Sequence, residues 1–383
     1  MTEAATGRRP PVSTQSELGP HAVRDAIAAF AQGMPVVVVD GEHDEHGGDL
    51  VFAAECATPQ LVAFAVRYGS GFLCVAMTES DADRLELPAI ARSHDPHGSA
   101  YAVTVDAREA ISTGISAADR ALTVRTLAGS SADPGSFTRP GHVVPLRACA
   151  GGVLQRPGAA EAAVDLAVLA GLRPATALCK LVSENDPREL AQGTELRRFA
   201  QRHGFPLISV ADLRDHRLRN EVAVTPTARA NVRLAHGNFT AVGYRSIFDE
   251  REHIAFVLGD RSGESVPVRI QRECLIGDVF GSQLCDCAKS TDQALAAIAA
   301  AGHGVLIYLR GRENASVLGR GHAAIASSHA TQDTAVAVGI MRDLGISSVH
   351  LLAPRAGEAD VLARLGVRVA TRTAVEPHTT CSA

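Results

Sequence analysis

Glu273-Cys-Leu-Ile-Gly-Asp-Val-Phe-Gly-Ser-Gln-Leu-Cys-Asp-Cys287 is the densest chemical signal in this 383-residue chain. It brings three soft thiols, Cys274, Cys285 and Cys287, within 14 residues. Zinc is the natural occupant of such a set. Three protein ligands would leave a fourth position for water or substrate, as catalytic zinc sites do, whereas closed structural sites take four ligands, usually as paired Cys-x-x-Cys. An open zinc site can make hydroxide near neutral pH. The spacing alone also admits three buried cysteines beside a turn.

Before the cysteines, Phe239–Ser246, Ile254–Leu258 and Val266–Gln271 read as strands with no helix between them, which predicts an antiparallel start. After the cysteines come a helix over Thr291–Ala301, a strand over Gly304–Arg310, a helix over Thr334–Leu344 and a strand over Ser348–Leu352. Upstream, helix-like and strand-like segments alternate: His21–Gln32 is amphipathic, Pro35–Val39 β-branched, Leu61–Tyr68 helical and Gly71–Met77 strand-like. The fold class is therefore α/β (α+β) in two domains, as a length well above the roughly 100–200 residues of one domain suggests. The expected bounds are a polar tail at 1–18, an α/β domain at 19–221, a linker at 222–235, a second domain at 236–375 and a tail at 376–383.

Composition narrows the function classes. Lys and Arg total 37 against 42 Asp and Glu, a net charge of −5, so the basic excess of a phosphate-gripping protein is missing. Aromatics make up 4% with no Trp, which disfavours base-stacking platforms. No nucleic-acid partner is expected. No run approaches the 18 apolar residues of a membrane span, and the polar start lacks a signal peptide's apolar stretch, so a cytoplasmic protein without a membrane partner is expected. The eight cysteines then read as thiols or metal ligands rather than disulfides.

The cysteine stretch closely resembles the zinc motif of GTP cyclohydrolase II. Flanking matches are Gly243-Tyr-Arg245, Glu252-His253, Gly259-Asp260 and Val305–Arg310. The first domain is similar to 3,4-dihydroxy-2-butanone 4-phosphate synthase. The residues that carry this are Asp49–Glu55, Cys74, Asp95-Pro-His-Gly98, Thr113–Arg120, Arg139-Pro-Gly-His142 and Glu161-Ala-Ala-Val-Asp165. The order resembles the bifunctional riboflavin-biosynthesis family from about residue 20 to residue 372. The resemblance implies a formate-releasing lyase followed by a GTP hydrolase, zinc on the three thiolates, magnesium or manganese in the first domain, a small phosphorylated substrate, and a homodimer. Carried residue by residue, it points to Glu45, Asp49, Cys74 and His142 as catalytic, with Glu45 also a magnesium ligand. Asp95, Thr113, Ser116, Arg139, Arg269 and Glu273 fall at substrate-binding positions.

Several family positions are changed. The acidic loop Arg-Glu-Asn-Glu-Gly-Asp appears as Asp44-Glu-His-Gly-Gly-Asp49, and Gly-His-Thr-Glu as Gly158-Ala-Ala-Glu161. Lys180 stands where the family has a catalytic glutamate. A methyl group at Ala159 cannot ligate metal, and His43 or His46 are the replacements at hand. In the second domain, Arg-x-His-Ser-Glu-Cys has become Arg269-Ile-Gln-Arg-Glu-Cys274, and a glutamine has become Ser290. Arg312-Glu-Asn314 replaces Glu-Gly-Arg, Ala330-Thr-Gln332 replaces the catalytic Asp-x-Arg, and Glu358 replaces the lysine of a phosphate motif. The reversals come as opposites in each domain, Asp44 with Lys180 and Arg312 with Glu358. At least one such pair is expected to face each other, since a lone charge in a cleft is costly. Three readings follow. The chain is an enzyme repurposed for another phosphorylated sugar or nucleotide-like substrate, or a non-catalytic zinc-stabilised paralogue acting through partner contacts. The third reading is the ordinary bifunctional enzyme. Loss of both ancestral activities is the expectation.

Overall fold

Val36-Val-Val-Val39 shows how the first half is layered. Alternate residues of a strand face opposite ways, and here both faces are buried: Val37 and Val39 join one apolar core, Val36 and Val38 another. A computed structural model describes residues 20–39, 47–90, 100–221, 224–246, 251–283, 285–311, 330–353 and 357–374. The chain divides into two compact units, residues 1–216 and 217–383. Among the described residues, no helix is long and apolar enough to cross a membrane.

In the first unit the elements run α1 (Pro20–Ala31), β1 (Val36–Val39), β2 (Gly48–Ala53), α2 (Pro59–Tyr68), β3 (Cys74–Thr78), α3 (Glu79–Arg84), β4 (Ala100–Tyr101), β5 (Val105–Ala107), α4 (Ala117–Ala128), β6 (Phe137–Ala148), α5 (Ala159–Leu169), β7 (Ala175–Lys180), α6 (Gly193–His203), β8 (Leu207–Ser209) and α7 (Val210–Asn220). The sheet order is β4-β6-β3-β7-β2-β1-β8, with β5 on β6. One core packs α2, α4 and α6 through Val62, Ala65, Val124, Leu127 and Phe199. The other packs α1, α5 and α7 through Val23, Phe30, Ala163, Leu166 and Leu213. The sheet is thus sandwiched by helices on both sides, the arrangement in which strands lose their polar face.

The second unit follows with β9 (Val224–Leu234), β10 (Gly237–Ser246), β11 (Glu252–Leu258), β12 (Val266–Arg272), α8 (Cys287–Ala301), β13 (Gly304–Leu309), α9 (Ala330–Asp343), β14 (Ser348–Ala353), α10 (Glu358–Arg364) and β15 (Arg368–Ala374). Its sheet order is β15-β14-β12-β13-β11-β10-β9. The expected antiparallel start holds for β10 with β11, extended by β9 on the other side of β10, but not for β12, which pairs in parallel with β13 and β14. The stretch 222–235, expected as a linker, is from Val224 to Leu234 an edge strand registered along the whole of β10. Its side chains are mostly exposed, so the apolar alternation that marks a strand is missing, and Pro226 is tolerated because edge strands spare amides. The division between units also falls earlier than residue 221, inside α7.

Candidate functional site

Strand pairing brings Asp49, Cys74 and His142 to the same end of neighbouring inner strands of the first sheet. Asp49 lies at the start of β2, opposite Lys180 at the end of antiparallel β7. Cys74 starts β3, which is antiparallel to β7 and parallel to β6, where Val144 is its partner and His142 is two residues earlier. Asp49 is buried, and Lys180 Nζ is 2.8 Å from its Oδ2. Lys180 thus occupies that carboxylate. Asp44 and Arg312, the expected partners of Lys180 and Glu358, lie outside the described residues. So do Glu45, Asp95, His43 and His46.

His142 is oriented by a residue that the sequence did not single out. Its Nδ1 lies 2.7 Å from Asp106 Oδ2, and its amide donates to Asp106 Oδ1 at 2.9 Å. Asp106 is buried, whereas the imidazole is 41% exposed, leaving the ring accessible from outside. Gly114 is required here, because its φ is +86° and a β-carbon would lie 2.1 Å from Asp106 Oδ2. Ser116 caps α4 by accepting from the Asp119 amide. Asp119 takes hydrogen bonds from Ser112 and the Gly114 amide, which hold its carboxyl below the usual range. Thr113 is exposed on that anchored loop. Arg139 is not gathered with the others: its guanidinium donates to the carbonyls of Leu85 and Pro134.

Burial pushes the Cys74 thiol up to about 12, with the charges of Asp49 and Cys179 adding to it. The folded state therefore holds this proton more tightly than the unfolded chain, whose thiol titrates near 9.0. The stabilisation is full below pH 9 and is lost as pH rises through 12. Urea midpoints from pH 8.5 to 11 are expected to fall more steeply for the wild type than for Cys74→Ala. Parallel curves for the two proteins would contradict this.

In the second unit, Cys274 follows β12 and opens a π-helical turn over Leu275–Val279, while Cys287 begins α8. Cys274 Sγ and Cys285 Sγ are 3.7 Å apart, and all three sulfurs lie within 4.8 Å of one another. Gly277 closes over them, its amide donating to Cys274 Sγ at 3.3 Å. Burial pushes the thiols of Cys274 and Cys287 up, and their crowding adds to the shift at Cys287. A divalent cation reverses that penalty, since coordinating thiols are deprotonated. Three convergent soft donors fit a thiophilic metal. Glu273 Oε2 accepts from the Gly311 amide at 2.6 Å, pinning the chain after β13 beside this centre.

Two sequence features meet different partners from those expected. Arg272 reaches from the end of β12 to Asp333 on α9 at 3.2 Å and to Glu358 at the start of α10 at 3.3 Å. Glu358 is thus paired with Arg272. Arg269 is almost fully buried, and its guanidinium donates to Leu352 O, Gln271 Oε1 and Ser290 Oγ, so it braces the interior rather than facing a ligand. Asp278 and Tyr308, which touch each other beside the thiols, were also missed. Both lie in quoted motif segments, and that was their only signal.

The chain matches the 3,4-dihydroxy-2-butanone 4-phosphate synthase family over residues 24–216 and the GTP cyclohydrolase II family over residues 225–374. It is 48% identical to the riboflavin biosynthesis protein RibBA of Rhodococcus jostii over 378 residues, spanning 91% of this chain and 89% of that one. It is 54% identical to the RibBA of Nocardia farcinica over 297 residues, 77% of this chain and 72% of the relative. Among solved structures it resembles RibBX, a two-domain 3,4-dihydroxy-2-butanone 4-phosphate synthase from A. baumannii. The TM-score is 0.74 at 30% identity, covering 92% of this chain and 99% of that one. Identity at this level across both units favours an ordinary bifunctional protein over the expected loss of both activities.

Proposed function

Because this chain belongs to the bifunctional family that joins a 3,4-dihydroxy-2-butanone 4-phosphate synthase module to a GTP cyclohydrolase II module, we propose that it is a two-module enzyme of riboflavin biosynthesis. The observation that carries this reading is the convergent thiolate centre of the second unit, set in a chain about half identical to its bifunctional relatives. We assign zinc to Cys274, Cys285 and Cys287, where it would supply Lewis acidity and an activated water for hydrolysis of a GTP-type nucleotide. The chain's own residues shape that chemistry. Glu273 holds Gly311 against the centre. In the first unit, Asp106 fixes the His142 ring through Nδ1 and so presents Nε2 for proton exchange with a small sugar phosphate. Cys74 stays protonated at neutral pH beside Asp49.

A second reading rests on Lys180. Its ammonium neutralises Asp49, and Ala159 offers no metal ligand, so the first unit's contacts suit a different phosphorylated sugar. The Arg272 pairs with Asp333 and Glu358 extend the same change to the second unit. Formate release by the full chain, with zinc and magnesium supplied, separates the two. Formate from both ribulose 5-phosphate and GTP is expected on the first reading. Formate from neither sinks it and leaves the second, to be pursued by binding assays across sugar phosphates and nucleotides. Formate from ribulose 5-phosphate alone would limit the first reading to the synthase module.

A further inference from the structure

Asp278 carries one oxygen that is fully used and one that is not. Its Oδ2 accepts from the Cys274 amide at 2.8 Å and from the Tyr308 hydroxyl at 2.8 Å. Its Oδ1 is shut off from solvent and has no hydrogen-bond partner among the described residues. A buried acceptor without a donor is costly, and more so when the group is charged, so native structures rarely keep one without a reason. The neighbourhood supplies a reason. Asp278 directly follows Gly277, where a β-carbon would lie 2.5 Å from Cys285 Sγ and 3.0 Å from Cys274 Sγ. The turn that carries both residues is a single π-helical turn, a feature common at functional sites.

We propose that Asp278 is a positioning residue of the thiolate centre. Oδ2 fixes the turn that presents Cys274, and Oδ1 would accept from a hydrogen-bond donor that a metal held by the three thiolates brings to the centre. This rests on the reading that the three cysteines hold zinc. Outer-shell acceptors of this kind orient metal ligands, and their loss typically weakens metal binding 10–100-fold.

Asp278→Asn is the decisive substitution because it separates the two oxygens. The amide oxygen can still accept from the Cys274 amide and Tyr308, which keeps the turn, while its NH2 replaces the unused acceptor with a donor. Zinc affinity of the full chain is read by competition with a chromophoric chelator, and the site environment by visible absorption of the cobalt-substituted protein. Asp278→Asn is expected to bind one equivalent of zinc some 10–100-fold more weakly than wild type, with shifted cobalt d–d bands. Tyr308→Phe, which touches only Oδ2, is expected to leave both readouts near wild type. A folded Asp278→Asn protein with wild-type affinity and spectrum would overturn the proposal. Failure of the underlying reading looks different: Cys285→Ser would then bind zinc as well as wild type, and the assignment to Asp278 would go with it.

Discussion

Replacing Cys285 by serine is expected to lower the unfolding temperature of the second unit by roughly 10 °C while leaving the first unit's transition in place. The size follows from linkage. A metal bound only by the native state, and present at 1,000 times its dissociation constant, adds about 4 kcal/mol, and 1 kcal/mol moves the midpoint of a unit this size by about 2–4 °C. Serine keeps the shape but offers no thiolate, so the gain is lost. A strong chelator added to the wild type should give the same shift and should change the variant no further. The pH dependence has a definite sign. Burial and mutual crowding push the thiols of Cys274 and Cys287 up, so binding must displace protons, and the metal is held at high pH and released as pH falls. Calorimetry of the full chain with and without chelator checks this. Coincident traces would mean that the three cysteines are merely buried thiols.

The thiolate centre was legible in the sequence because soft donors are scarce and their convergence needs only a turn between β12 and α8. The central strands were legible for a related reason: Val36–Val39 is apolar on both faces, which leaves few alternatives. Strand β9 was not, because an edge strand drawing its bonds from β10 needs no apolar face, and Thr225, Arg229 and Arg233 read as linker. Single polar residues were the hardest to see. Asp106 meets His142, and Asp278 meets Tyr308 as well as the nearby Cys274 amide, so most of what marks these residues lies far away in sequence. The charge reversals were visible as residue types, but their partners were not. Lys180 met Asp49 across a strand pair and Glu358 met Arg272 across helix and sheet, contacts set by register and layer packing rather than by spacing along the chain.

The first unit depends on a buried charge at Glu161. Gly158-Ala-Ala-Glu161 lacks the histidine of its family motif, yet the loop before α5 is held firmly by Glu161. This side chain is 1% exposed, accepts from the Cys149 amide at 3.0 Å and from Arg156 Nε at 2.9 Å, and also pairs with the Arg156 terminal nitrogen. Burial works to lower the Arg156 guanidinium, but the hydrogen bond and charge of Glu161 outweigh it and raise it overall. Arg156→Met would take away both guanidinium bonds and leave a carboxylate stranded in the interior. Breaking a buried pair from one side costs about 3–5 kcal/mol, so a loss of at least 3 kcal/mol is expected in urea titration. Arg156→Lys should recover only part of it, because an ammonium cannot reproduce the fork that also reaches the Arg147 carbonyl. Adding Glu161→Gln to Arg156→Met should restore much of the stability by removing the stranded charge. If the double variant is no more stable than Arg156→Met alone, the loss comes from packing of the arginine stem and not from the ion pair.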